Sequence, residues 1–127
     1  MKKLLQIVLV SSLSLLCFSC YYDEIPEKLV VDTPDIPDTQ VILFGTEIQP
    51  IFSKCTSCHN TTIANPDLRA GNSYSALVPK YVTAGNADAS KLYTNLPGNG
   101  HFDVDVSLSV NEIALIKAWI NQGAKDN

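Results

Sequence analysis

The sequence predicts a small all-α domain over residues 41–127, carried behind an export signal at residues 1–19 and a linker at residues 20–40. Three observations predict it. Ser109-Val110-Asn111-Glu112 is a capping box, and behind it Ile113, Ile116 and Ile120 form one apolar line, as a helix through Gln122 requires. Ile48, Ile51, Phe52 and Cys55 fall at helical spacing in an earlier stretch. No strand-like alternation of any length lies between them; Val104-Asp105-Val106 is too short to count.

The chain opens on Met1-Lys2-Lys3 and an apolar run at residues 4–16, softened by Ser11, Ser12 and Ser14. The run falls short of the ~20 residues that span a bilayer, so it reads as an export signal. Small residues favour cleavage, and Ser19 directly precedes Cys20. Cys17-Phe18-Ser19-Cys20 resembles a bacterial lipoprotein signal. The resemblance implies cleavage before Cys20 and lipid on its thiol, which would hold the exported chain at a bacterial membrane, facing the periplasm or the cell surface. Several acyl chains on one cysteine meet the need for more than one chain in stable anchoring. The alternative is a cleaved, soluble form with a free Cys20.

Behind Cys20, Pro26, Pro34 and Pro37 stand among Asp23, Glu24, Glu27, Asp32, Asp35 and Asp38, with Leu29-Val30-Val31 as the one apolar patch. Such a segment buries too little surface to offset its ordering entropy, and its prolines favour an extended chain. It is expected to be a disordered tether. Asp23-Glu24 also resembles surface-export signals of some Bacteroidetes lipoproteins. The formal charge is −4 for the whole chain and becomes −6 when Lys2 and Lys3 leave with the signal. That balance argues against a nucleic-acid partner and suits a basic or patch-matched protein.

Within the domain, Thr46 with Gln49 fits a capping box, while Pro50 allows a start one turn later. Leu68 is expected to be a buried loop anchor, and Asn65-Pro66 a turn. Ser73 suits the cap of a short helix at residues 74–78 that Pro79 stops. Thr83-Ala84-Gly85-Asn86 and Pro97-Gly98-Asn99-Gly100 read as turns on either side of a helix at residues 87–96. Tyr93 is expected to pack rather than to bond a ligand. Gly123 fits the residue past the last helix, with Lys117 and Lys125 toward its negative end.

The chemistry sits at Cys55-Thr56-Ser57-Cys58-His59. This is the C-x-x-C-H pattern of covalent haem c attachment. On a helical turn, two cysteines three apart share a face, so both thiols can reach the two vinyl groups of one porphyrin. His59 projects beside them as the proximal iron ligand. The other readings are weaker. A thioredoxin-like pair needs a βαβ context, and zinc wants four ligands, for which adjacent Cys58 and His59 are awkward. A disulfide between Cys55 and Cys58 would close a very tight loop. Each cysteine beyond the signal thus has a role, Cys20 in lipid and Cys55 and Cys58 in haem.

The domain resembles class I cytochrome c. The marks are Ile48-Gln49-Pro50-Ile51-Phe52 ahead of the haem motif, then Ser90-Lys91-Leu92-Tyr93, Gly100-His101, and Glu112-Ile113 through Trp119-Ile120 to Gly123-Ala124. The resemblance implies N- and C-terminal helices crossing over one buried covalent haem, single-electron transfer between redox partner proteins, and no catalytic residue. It departs at one place. The family usually has Met after Gly-His as the distal iron ligand, and here that position is Phe102. The single methionine is Met1, which leaves with the signal. Either His101 binds the iron as a second imidazole, or the sixth position is taken by water or another side chain, or it is open and the domain takes CO, NO or peroxide as a sensor or a peroxidase-like enzyme. Without a thioether ligand, a lower potential than that of typical relatives is expected.

Overall fold

The computed structural model describes residues 34–102 and 104–127; the expected signal, Cys20 and the linker up to residue 33 lie outside them. Every regular element among the described residues is helical, and only isolated bridges occur in place of strands. In chain order the α-helices are α1 (Gln49–Phe52), α2 (Ser73–Leu77), α3 (Lys91–Thr94) and α4 (Val110–Asn121). A π-helical turn, Phe44–Ile48, runs into α1, and a 3₁₀ turn, Ser53–Cys55, runs out of it. None of these helices is long and apolar enough to cross a membrane.

Helix α4 is the one long element, and both of its ends follow from local chemistry. The Ser109 hydroxyl accepts from Glu112 N at 3.2 Å while the Glu112 carboxylate accepts from Ser109 N at 2.8 Å, which closes the capping box. At the other end Gly123, at φ 100°, takes the left-handed conformation that a residue without Cβ adopts freely. Gly123 N–H then bonds Ile120 O and Ala124 N–H bonds Trp119 O, a Schellman stop. Ser109→Ala is expected to cost about 1 kcal/mol, a fall of roughly 4–8 °C in Tm for a domain of this size, checked by calorimetry.

The apolar line of α4 is the floor of the core. Ile113, Ile116 and Ile120 are buried, and Trp119 is its largest member. Phe44 from the π turn packs on Trp119 with ring centroids 5.1 Å apart, and Tyr74 closes the cluster edge-on to Phe44 at 5.3 Å. The first and last helical segments therefore pack against each other. Phe52, Leu68, Leu77, Val82 and Leu96 complete the core from the other elements.

Four local expectations are corrected. Thr46 and Gln49 do not form a capping box: Glu47 reaches back to Leu43 N at 2.7 Å, and Gln49 turns inward. Of the helix expected at residues 87–96 only Lys91–Thr94 forms, and residues 87–90, 95 and 96 are not helical. The Asn86 side chain accepts from Ala89 N, and buried Ser90 ties itself to Thr83 and Asn86, local bonds that compete with a helix. Ser73 does not cap α2; its hydroxyl is turned to Gln49. Lys117 lies short of the last turn of α4, over the ring of Tyr93 at 6.0 Å. The linker also ends earlier than residue 40 as a loose chain. A turn joins Gln40 N to Pro37 O, Ile36 packs on the core, and Gln122 clasps Gln40 O and Ile42 N.

Candidate functional site

A cavity of about 620 Å³ opens between α1, the loop after it, α3 and the segment leading into α4. Packed interiors contain few voids larger than a water molecule, whereas cofactor sites span ~300–1,000 Å³ and are mostly apolar. The walls here are Ile51, Phe52, Leu68, Leu92, Leu96 and Leu108, and Cys55, Cys58, His59 and His101 all face the same space. Phe52 and the expected loop anchor Leu68 are both buried, and both line the cavity.

The motif reaches this wall because the helical path continues past α1. Cys58 N and His59 N both donate to Cys55 O, at 3.2 and 2.8 Å, a further helical turn that sets Cys58 and His59 beside Cys55. Asn60 locks that turn. Its amide nitrogen donates to Thr56 O and Ser57 O, and its oxygen accepts from Thr62 N and Ile63 N. Burial pushes the Cys55 thiol up, and the neighbouring Lys54 charge only partly offsets it. Lys54 itself bonds Glu112 at 2.6 Å, which fastens the motif segment to the capping box of α4.

Both imidazoles are oriented from behind. His59 Nδ1 lies 3.3 Å from Pro66 O, and His101 Nδ1 lies 2.8 Å from Phe102 O. A carbonyl only accepts, so in the neutral form of each ring the proton is on Nδ1 and Nε2 keeps its lone pair. The two ring centroids are 6.0 Å apart. His101 is delivered by the Pro97–Gly100 turn, in which Asn99 N bonds Leu96 O and the Asn99 amide bonds Tyr93 O. Gly100, at φ 97°, passes so close to Thr94 O that a Cβ would stand 2.6 Å from it. Phe102 is 76% exposed.

The donor set and the cavity fit a covalently held haem. The apolar space would take a porphyrin, Cys55 and Cys58 stand on its wall, and two imidazole rings with centroids 6.0 Å apart face it as candidate iron ligands. Among the described residues no three of His, Cys, Asp and Glu gather as a bare-ion site.

Three supporting groups had no signal in the sequence. The first is Gln49, whose amide donates to Leu68 O at 3.1 Å and whose oxygen takes the Ser73 hydroxyl. The second is the Pro66 carbonyl behind His59. The third is the buried carboxylate of Asp67. The bonds from Arg69 and Asn72 hold the Asp67 carboxyl well below the usual carboxylate range. The folded chain then takes up that proton at lower pH than the unfolded chain does. The stability it confers is complete above the unfolded value of about 3.9 and is lost as pH falls from there toward the folded value. Urea midpoints measured from pH 5 down to pH 2.5 should decline, and less steeply in Asp67→Asn. No family model matches the chain, nor does any curated protein or any solved structure, so the reading of this site rests on the chain's own residues.

Proposed function

We propose that this chain is a one-haem c-type cytochrome that carries single electrons between redox partner proteins, held at a bacterial membrane by lipid on Cys20. Cys55 and Cys58 would bind the porphyrin through thioethers, His59 would be the proximal iron ligand and His101 the distal one. The observation that carries this is the pairing of His59 and His101. Their rings are 6.0 Å apart, each with Nδ1 on a backbone carbonyl, above the cavity that Cys55 and Cys58 also line. When bound, the iron supplies one-electron oxidation and reduction at a potential set by its axial ligands.

The chain's own residues supply the rest. The aliphatic walls would shield a bound haem from water and lower the local dielectric, which disfavours the more highly charged oxidised state. A thioether at Cys55 is neutral, so attachment places no charge in a wall where burial already disfavours the thiolate. The Pro66 and Phe102 carbonyls hold both rings in the tautomer that leaves Nε2 as donor. Two imidazoles each held by a backbone carbonyl would move little on oxidation and reduction, which suits electron transfer better than ligand exchange.

Absorption spectra of the reduced, exported protein with and without CO test the proposal. A six-coordinate low-spin spectrum unchanged by CO, with a reversible one-electron redox wave, is expected. Ready CO binding by the unmodified protein would favour the other reading, a haem domain with an open distal site for small ligands.

A further inference from the structure

Asp67 sits one residue beyond the carbonyl that receives the His59 N–H, and it is 6% exposed. Its carboxylate takes four bonds. Oδ1 accepts from Arg69 N at 3.1 Å and from Arg69 Nε at 2.9 Å; Oδ2 accepts from Arg69 Nη2 at 2.8 Å and from Asn72 Nδ2 at 3.0 Å. The guanidinium also donates to Thr61 Oγ1 at 3.2 Å, across the loop that leaves His59. Between Asp67 and Arg69, Leu68 gives its N–H to His59 O at 3.0 Å and takes the Gln49 amide on its own carbonyl. The peptide joining Pro66 to Asp67 is thus pinned on its C-terminal side, and its carbonyl is aimed at His59 Nδ1. Asp67 and Arg69 do not line the cavity. Their shortest connection to the site runs through that peptide.

We propose that Asp67 and Arg69 form a buckle that positions the Pro66 carbonyl against His59 Nδ1 and so sets the donor strength of the proximal imidazole. Both are positioning residues. The inference rests on the haem reading above and concerns how that site is tuned. A firm N–H···O=C bond gives the ring anionic character and makes Nε2 a stronger donor. A stronger donor favours the more highly charged oxidised metal, which lowers the potential. A loosened carbonyl reverses this and raises the potential. A charged, bidentate pair suits such a task better than a neutral contact, because its fork geometry fixes direction as well as distance.

The test uses the haem-loaded exported protein and two variants, Asp67→Asn and Arg69→Lys. The Arg69 side chain is 47% exposed, so Arg69→Lys keeps a cation and is expected to fold even if Asp67→Asn yields little protein. Two quantities are read: the midpoint potential, and the exchange rate of the His59 Nδ1 proton by NMR of the reduced form. Both variants should keep the low-spin spectrum, shift the potential upward and exchange that proton faster, Asp67→Asn more than Arg69→Lys. Loss of an outer partner typically changes metal binding by about tenfold or more. A tenfold change in the ratio of oxidised to reduced affinity is about 59 mV. An unchanged potential with unchanged exchange in haem-loaded variants, whatever their Tm, would overturn the buckle and leave the haem reading standing. A wild-type chain that carries no covalent haem would remove both.

Discussion

Cys55→Ala/Cys58→Ala is expected to carry no haem and to lose its cooperative fold. The reason is the size of the cavity relative to the stability of the domain. Without haem, Ile51, Phe52, Leu68, Leu92, Leu96 and Leu108 would face water across the space between α1, α3 and the start of α4 and would lose the apolar contact that ties these segments together. Small domains have only about 5–15 kcal/mol in total. The cavity borders the motif turn, Leu68, α3 and Leu108, so no one element can collapse into it without dragging the rest. A covalently attached haem would place a large apolar plate there permanently. Circular dichroism of the double variant should show reduced helicity and a broad, shallow melt. A sharp melt at the temperature of the haem-loaded protein would contradict the expectation.

His101→Ala is expected to convert the reduced iron from six-coordinate to five-coordinate and to make it bind CO. The turn that presents His101 is held by Asn99 at Tyr93 and Leu96, and Phe102, which stands where the resembled family has its methionine, points to solvent. No second imidazole exists to replace it, since His59 and His101 are the two histidines of the chain. Fold stability should change little, because the imidazole is partly exposed and lies outside the buried core. Loss of an axial imidazole should also move the potential, since axial ligands span ~0.8 V. A variant that stays six-coordinate and refuses CO would assign the sixth position to another side chain.

The parts of this domain that were legible in the sequence are those settled by near neighbours. The box at Ser109 and Glu112, the apolar line Ile113–Ile116–Ile120 and the stop at Gly123 each depend on residues within one or two helical turns, and each appears in α4. The shared face of Cys55, Cys58 and His59 is legible for the same reason. Misreadings arose where a side chain had a distant partner. Gln49 looked like a capping residue and serves Leu68 and Ser73. Thr46 then has no box to close. Residues 87–90 carry helix-compatible letters, but Ser90 is buried and satisfied by Thr83 and Asn86. Ile36 read as part of a loose tether, and a place on the core was available to it. The order of the candidate site was least visible in its support. Asp67, Arg69 and the Pro66 carbonyl act through contacts that no local pattern announces.

The most direct measurement is the intact mass of the mature chain purified from a host that assembles c-type cytochromes, paired with a thiol titration. One haem added to the polypeptide mass, with Cys55 and Cys58 unreactive toward thiol reagents, is the expected result. A bare polypeptide mass with both of those thiols free to react would contradict it.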